Sequence, residues 1–591
     1  MEPTSNIDSG TLVEGHAAEP NVEHAGHTTG SLLSSFFRED RFFLVLSVFI
    51  GVFSGLAVVC FRFLIDWCHI YLLGTGAELS LSRVLLAPML TGLLIALVVI
   101  YIFPQSRGSG VNQTKAALYI YNGYIPVRTA VGKFITSALA IGSGQSLGPE
   151  DPSLQIGAAL ASAIGRRLRL SRERMRLIAP VGAAAGLAAA FNAPISAVLF
   201  VIEEVIGRWT AGILGSVVLA AVSSVVVMRW FWGSDVLFSI PPVQMQSPAE
   251  LLAYSILGIV GGFASVLLSS GIGYLRPRFK ALPHWTQYFQ PAAAGLLIGG
   301  IAALGAPQVM GAGYEYMDQA MHGQFTWQFL AILAVLKIAA TMLSFVSGTP
   351  GGMFAPTLFI GAMFGAAVGG AQHALFHHLA WSPGTYALVG MGVLFAGFLR
   401  APMTSVFMVL EVSGNYGIIL PVIVANTFAY VISRTLQPVA IFDVLTRQDG
   451  LDLPSMEEQR EESILRVEDA MQPPIDPVFD AEELADWISH PAESELPEIA
   501  LVRLHPAGWS SLTRDEMKAI IEAGNDDHDF AEFFAEHQVP VIHPDQPLDV
   551  ALRYVDRWPL IPVVSRADFS KLEGVISEHD VLERYRDFAG E

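Results

Sequence analysis

The sequence predicts an all-α multi-pass membrane protein built from two inverted repeats of broken helices, followed by a smaller soluble α+β part. Three observations carry that expectation. Of 591 residues, 52% are hydrophobic and only 15% charged, too apolar a balance for an ordinary soluble domain. Uncharged runs recur, the clearest being Phe42 to Phe61, Val84 to Phe103 and Trp209 to Met228, each long enough to cross a hydrocarbon core of about 30 Å. Finally, 54 glycines and 34 prolines punctuate these runs, as in Gly348-Thr349-Pro350-Gly351-Gly352, so many apolar segments should be half-helices or re-entrant pieces buried in protein.

Taken along the chain, residues 1–37 form a polar tail expected to be a disordered cytoplasmic extension. His16, His24 and His27 within it are too scattered for a metal site, and none is expected elsewhere. The first apolar run begins beyond residue 40 and lacks the position and basic flank of a cleaved signal peptide. Cys60 and Cys68 lie in or beside that run and read as packing residues. Gly51 to Gly55 and Gly361, Gly365, Gly369 read as small-residue packing faces.

Residues 38–450 are expected to be the transmembrane part. Arg166, Arg167, Arg169, Arg172, Arg174 and Arg176 sit between apolar stretches with the single acid Glu173, which marks a cytoplasmic loop under the positive-inside bias. Residues 451–464 read as a linker and 465–587 as a soluble domain. The net charge of −20 comes largely from the region after Leu451, and that acidity argues against a nucleic-acid partner.

The internal repeat is the most informative pattern. Pro152-Ser153-Leu154-Gln155-Ile156-Gly157-Ala158 matches Pro356-Thr357-Leu358-Phe359-Ile360-Gly361-Ala362, with the prolines 204 positions apart (356 − 152). Ala193-Pro194 through Glu203 matches Ala401-Pro402 through Glu411 at an offset of 208 (401 − 193). Two motifs in one order at one spacing imply a duplicated bundle, about residues 40–235 and 248–445. Such halves commonly meet in inverted orientation, with broken helices forming the substrate site near the midplane.

Each matched segment places glycine, then proline, then an apolar helical run. Proline suits a first helical turn, where its missing N–H costs nothing. The free amides ahead of such a helix, with the positive end of its dipole, make an anion site that needs no full positive charge. Gly108-Ser109-Gly110 offers a further terminus of this kind with a hydroxyl donor. Glu150, heading one of these helices, has a carboxylate able to occupy the anion position when ionised and vacate it when protonated. An acid inside a glycine-rich membrane break is functional by default. Glu203 and Glu204 end an apolar helix near the cytoplasmic face.

Gly108-Ser109-Gly110-Val111, Gly148-Pro149-Glu150-Asp151-Pro152, Gly352-Met353-Phe354-Ala355-Pro356 and Glu203-Glu204 together resemble the CLC family of chloride channels and proton-coupled chloride exchangers, over about residues 40 to 450. The resemblance implies that Ser109, with Gly110 beside it, and the amides of Met353 and Phe354 hold chloride. It implies Glu150 as the outer gate and Glu204, with Glu203 adjacent, as the inner proton-transfer group. Lys133, seventeen positions before Glu150, matches a family lysine that supplies positive potential or a structural ion pair. A homodimer is implied, each subunit with its own pathway.

The chain departs from the family pattern in three places. Asn112 stands where proline is usual, Pro149 and Asp151 flank the gate, and Phe442 stands where the family supplies a tyrosine at the chloride. The aromatic wall at Phe442 is kept while its hydroxyl is lost. Asp151 is expected to tune the gate by like-charge repulsion.

From about Leu465 to Arg586 the soluble part resembles a tandem CBS pair, best seen where Val541-Ile542-His543-Pro544 leads to Leu560-Ile561-Pro562-Val563-Val564 and Gly574-Val575-Ile576-Ser577-Glu578-His579-Asp580. The first copy is degenerate around Leu512 to Glu516. In nucleotide-binding members a serine and the aspartate three residues on contact the ligand, which implies Ser577 and Asp580 for an adenosine nucleotide, with purely structural use as the alternative.

Three functions compete: chloride/proton antiport, a passive chloride channel of the same fold, and a CBS-regulated cation transporter. The third needs carboxylates lining the membrane site, whereas this site is built of donors. An enzyme is not expected, since Gly142 to Gly148 lacks the Gly-x-Gly-x-x-Gly spacing and a following Lys-Ser/Thr. No cofactor is required. Chloride, protons and a lipid bilayer are the expected partners, and a bacterial inner membrane with both termini cytoplasmic is the expected location.

Overall fold

The computed structural model describes residues 26–74, 80–207, 211–234, 236–238, 240, 248, 250–376, 382–451, 453, 465–474, 478–480, 499–504, 508–523 and 538–590. The polar tail with His16 and His24, most of the 451–464 linker and much of the first CBS-like copy lie outside the described residues. The first helix begins at Gly26, ahead of the boundary expected at residue 37.

Among the described residues of the membrane part the α-helices fall into two sets of eight. The first set is α1 (Gly26–Leu72), α2 (Leu81–Tyr101), α3 (Gly110–Tyr119), α4 (Val127–Gly142), α5 (Glu150–Arg167), α6 (Arg172–Phe191), α7 (Pro194–Phe200) and α8 (Ala211–Trp232). The second is α9 (Glu250–Lys280), α10 (Gln290–Ala303), α11 (Tyr314–Met321), α12 (Trp327–Val346), α13 (Phe354–Leu375), α14 (Pro383–Leu399), α15 (Pro402–Ser413) and α16 (Ile419–Leu436), with α17 (Ile441–Gln448) after it. Among the described residues, eight helices are long and apolar enough to cross a membrane. Of these, α6 and α13 are enclosed along most of their length, and the others leave one apolar face outward, as Phe49, Phe53, Leu90, Leu94, Val226 and Leu267 do. Outward apolar faces of this extent are what lipid, not water, would cover.

Small residues set the close packing inside each half. α5 lies against α6 so tightly that a Cβ on Gly157 would strike the Gly182 carbonyl, and α13 meets α14 the same way at Gly361 and Gly390. Without a hydrophobic drive between helices in lipid, such backbone approach is the main source of packing contact.

The halves join on equivalent residues. Gly148 N donates to Gly352 O at 2.8 Å and Gly352 N donates back to Gly148 O at 2.9 Å, an antiparallel bridge between glycines 204 positions apart (352 − 148). A reciprocal bond between equivalent residues places the local twofold between them. Lys133 repeats the theme: its Nζ donates to Gly108 O at 2.6 Å and Ser106 O at 3.3 Å, while Lys337 donates to Gly311 O at 2.7 Å and Val309 O at 2.9 Å. Each buried lysine thus anchors the turn that leads into α3 or α11.

The soluble part carries a three-stranded sheet, β1 (Val478–Asp480) parallel to β2 (Ile499–Arg503) and β2 antiparallel to β3 (Trp509–Thr513), and a hairpin of β4 (Ile561–Ser565) with β5 (Asp568–Ile576). Its helices are α18 (Val467–Ala470), α19 (Arg514–Ala523), α20 (Leu548–Leu552) and α21 (Glu578–Gly590). Leu465 and Val467 pack with Ile542, Leu548, Ile561, Val563, Ile576 and Val581 in one core, so the chain entering this region completes its last copy. A polar cleft of about 480 Å³ lies between Arg172 and Arg176 of α6 and Glu468, Asp545 and Arg566, which puts the arginine-rich loop and the soluble part on one side.

Candidate functional site

Three helix N-termini converge at the centre of the membrane part, those of α3, α5 and α13. Each starts where a glycine-rich turn ends, and the Gly148–Gly352 bridge holds the last two together. The local sequence explains the arrangement: glycine lets the backbones approach, and the amides of a first helical turn have no intrahelical acceptor.

Glu150 heads α5 and is fully buried. Its Oε2 accepts from Ala355 N of α13 at 3.3 Å, and its Oε1 accepts from the Tyr314 hydroxyl of α11. The expected gate carboxylate therefore lies on the N-terminus of the very helix that carries Met353 and Phe354. Both of those residues are buried, and Phe354 packs among Phe200, Phe395 and Phe442 with ring centroids 5.0, 5.8 and 6.4 Å away. Phe442 supplies an aromatic wall there with no hydroxyl. Its carbonyl accepts from Asn112 Nδ2 at 3.0 Å, so the asparagine ties α3 to α17.

Asp151 turns the other way. Ser109 Oγ donates to its Oδ1 at 2.9 Å, Gly110 N to Oδ2 at 2.8 Å and Val111 N to Oδ1 at 3.1 Å. Consecutive acids of α5 thus address two different helix ends. A cavity of about 390 Å³ lined by Arg107, Gly108, Ser109, Asn112, Thr446 and Asp449 reaches the same end of α3. A second, of about 380 Å³, shares Arg107 and adds Arg276 and Lys280, although Asp449 pairs with both at 2.8 and 2.6 Å.

Glu203 and Glu204 sit on a π-helical turn, Val201–Ile206, that continues α7. A π turn shifts the register by one residue and often marks a functional position. The two side chains part. Glu203 accepts from Met403 N at 3.2 Å, Thr404 N at 3.0 Å and Thr404 Oγ1 at 2.7 Å, capping α15. Glu411 returns the favour to α7, accepting from Ile195 N at 2.9 Å, Ser196 N at 2.8 Å and the Ser196 hydroxyl. Glu204 points inward instead, with Lys115 Nζ 2.9 Å from its Oε1 and Asp443 3.4 Å from the same ammonium.

Residues 91–434 match the family described as "Voltage gated chloride channel". That match covers more than half of the chain. The chain belongs to this chloride channel family. It is similar to the "Putative chloride channel protein ClcB-like" of Ralstonia nicotianae, 33% identical over 425 residues, 70% of this chain and 99% of that protein. It is also similar to the "H(+)/Cl(-) exchange transporter ClcA" of Vibrio cholerae, 32% identical over 416 residues, 67% of this chain and 87% of that one. Among solved structures, a slow cyanobacterial Cl−/H+ antiporter shares the fold at a TM-score of 0.64, with 24% identity over 71% of this chain and 99% of that one. A eukaryotic CLC transporter does so at 0.62, with 19% identity over 91% and 97%.

In this member of the chloride channel family, residues 531–587 match the CBS domain. Ser577 and Asp580 are both described there and bind each other: Ser577 N and Oγ donate to Asp580 Oδ2 at 2.8 and 2.6 Å, and Gln472 Nε2 donates to the other oxygen at 3.0 Å. Before the matched segment, Thr513 and Glu516 make an N-cap of the same kind, with Thr513 N and Oγ1 each 2.8 Å from Glu516 Oε2. Among the described residues no group of three or more His, Cys, Asp or Glu is placed to hold a metal.

The sequence reading missed Tyr314, Lys115, Asp443 and Arg107. Two of these had a signal. Gly311-Ala312-Gly313-Tyr314 repeats Gly108-Ser109-Gly110-Val111 at an offset of 203 (314 − 111), and Lys115 is the lone charge between Gly108 and Gly123, a pattern that marks function inside a membrane.

Proposed function

We propose that this protein exchanges chloride for protons across a bilayer. The observation that carries the reading is the position of Glu150. Its carboxylate rests on the Ala355 amide of α13, a donor that an anion would otherwise use. Ionised, it competes with chloride for that amide and for the Tyr314 hydroxyl. Protonated, it loses the charge that holds it there and admits the anion, so one side chain couples the two ions. On this reading Met353 and Phe354 line the chloride position with Phe442 as its wall, Ser109 and Gly110 serve the neighbouring end, and Lys133 holds the turn before Ser109 in shape. Glu204, buried beside Lys115, exchanges protons with the inner side. Glu203 serves the fold by capping α15.

The same reading includes a homodimer, a bacterial inner membrane, and cytoplasmic termini on the side of the arginine-rich loop. Its boundaries are a transport domain at 38–450 and a tandem CBS pair at 465–587. For the CBS pair we propose structural use, supported by the bonds that Ser577, Asp580 and Gln472 make with one another.

A passive chloride channel is the second reading. Phe442 offers no hydroxyl to a bound anion, and Ser109 spends its own on Asp151; fewer donors would loosen coupling. Reconstitution in vesicles under opposing chloride and pH gradients separates the two. Exchange displaces the reversal potential from the chloride equilibrium value, whereas reversal at that value supports the channel.

A further inference from the structure

The cleft of about 480 Å³ between the membrane part and the soluble part is walled by charge on both sides. From α6 it takes Arg172 and Arg176, which the i, i+4 spacing puts on one face of the helix. Arg172 Nε donates to Asn122 Oδ1 at 3.2 Å and Arg176 Nε to Leu118 O at 3.4 Å. Both acceptors are neutral, and among the described residues no carboxylate pairs with either guanidinium. The acids of the lining are taken already: Asp545 by Arg566 at 2.8 Å, Glu573 by Lys571 at 3.5 Å and Glu468 by Arg466 at 3.5 Å. The β4–β5 hairpin supplies Lys571 and Ser565 to the opposite wall. Ser565 is 7% exposed; its Oγ accepts from Ala567 N at 3.4 Å, and its own proton has no acceptor among the described residues. Two like charges at this spacing in the opening turns of a helix oppose each other and the positive end of the dipole. Orientation in a membrane asks for arginines near the bilayer, not for arginines turned toward the soluble part.

We infer that this cleft binds a phosphoryl group, held between Arg172 and Arg176 on the membrane side and Lys571 and Ser565 on the soluble side. A phosphoryl group carries close to two charges and three acceptor oxygens, enough for both guanidinium forks and the serine hydroxyl together. A carboxylate brings one charge and two oxygens and leaves one arginine uncompensated. The site is separate from Ser577 and Asp580, neither of which lines the cleft, and it stands independently of the exchange reading. Two sources carry such a group to this place: a soluble phosphate ester or diphosphate, and the headgroup of a phosphomonoester lipid.

Titration calorimetry on the full chain in non-ionic detergent tests this, with inorganic pyrophosphate as the soluble probe and dioctanoyl phosphatidic acid as the headgroup probe. At least one of them should bind saturably. Arg172→Gln, Arg176→Gln and Lys571→Gln should each weaken that binding about tenfold or more, the worth of a charge-assisted hydrogen bond. Arg167→Gln removes a charge from the same loop outside the cleft lining and should change nothing. Binding of pyrophosphate alone assigns the soluble source, binding of phosphatidic acid alone assigns the lipid, and binding of both assigns the phosphoryl group as the only requirement. No saturable binding of either probe overturns the inference. Equal losses in Arg167→Gln and Arg172→Gln overturn it as well, because diffuse charge then explains the binding. So does an unchanged affinity in Lys571→Gln, because the loop then binds without the opposite wall. Arg172 and Lys571 lie in different parts of the chain, so a folding defect in one variant leaves the other to decide.

Discussion

Lys115 Nζ lies 2.9 Å from Glu204 Oε1, and neither side chain is more than 2% exposed. The other carboxylate oxygen of Glu204 is buried without a hydrogen-bond partner in the described structure, so a single ammonium compensates most of a buried charge. Breaking such a pair from one side typically costs about 3 to 5 kcal/mol, because the remaining charge stays behind. Lys115→Met should therefore lower the melting midpoint in detergent clearly. Lys115→Met/Glu204→Gln should recover most of the loss. A double variant as unstable as the single one would mean that the pair does not act as a unit.

Glu204→Gln keeps the side chain's shape but carries no exchangeable acid proton. Chloride flux into vesicles should persist while chloride-driven proton movement disappears, as followed by a pH electrode and a chloride electrode together. Proton movement that survives would shift the role to Asp443, the other acid at Lys115.

Tyr314 donates its hydroxyl to Glu150, and that donor holds the ionised gate more strongly than the protonated one. Tyr314→Phe should raise chloride flux at neutral pH several-fold, since a charge-assisted bond is worth about 1.5 to 3 kcal/mol. Glu150→Gln should go further and pass chloride without proton coupling. Equal flux in Tyr314→Phe and wild type would remove the hydroxyl from the gate.

Glu203 and Glu411 cap equivalent helices with equivalent bonds. Glu203→Ala and Glu411→Ala should each cost about 1 to 2 kcal/mol, read as similar drops in melting midpoint. The proton-to-chloride ratio of Glu203→Ala should match wild type. A changed ratio would return Glu203 to the proton path.

Much of the fold was legible because the repeat motifs are short, rich in glycine and proline, and spaced alike. Pro152 and Pro356 fix the breaks, and the amides after them fix the chemistry. What escaped is tertiary. Nothing in Glu203-Glu204 says that one carboxylate leaves for Met403 and Thr404 while its neighbour turns to Lys115; the π turn that parts them is not a pattern of residue types. Asp151 read as a neighbour of the gate because it is adjacent in sequence, but one residue along a helix rotates a side chain by about 100°, enough to face another helix. The soluble part was legible towards its end, where β4 opens on the apolar Ile561-Pro562-Val563-Val564 and β5 ends on the buried Val575-Ile576, and less so earlier, where the CBS signal is degenerate.

The exchanged acids Glu203 and Glu411 have a consequence for biogenesis. While the ribosome has delivered only the first half, α7 lacks the Glu411 carboxylate on its leading amides and Glu203 lacks its bonds to Met403 and Thr404, so that half enters the bilayer with both of these caps open. Both debts are settled only when α15 arrives, some two hundred residues of synthesis later. The halves are therefore one cooperative unit in time as well as in space, and a chain truncated after α8 should be recognised by membrane quality control as unfinished rather than persist as a stable half-bundle.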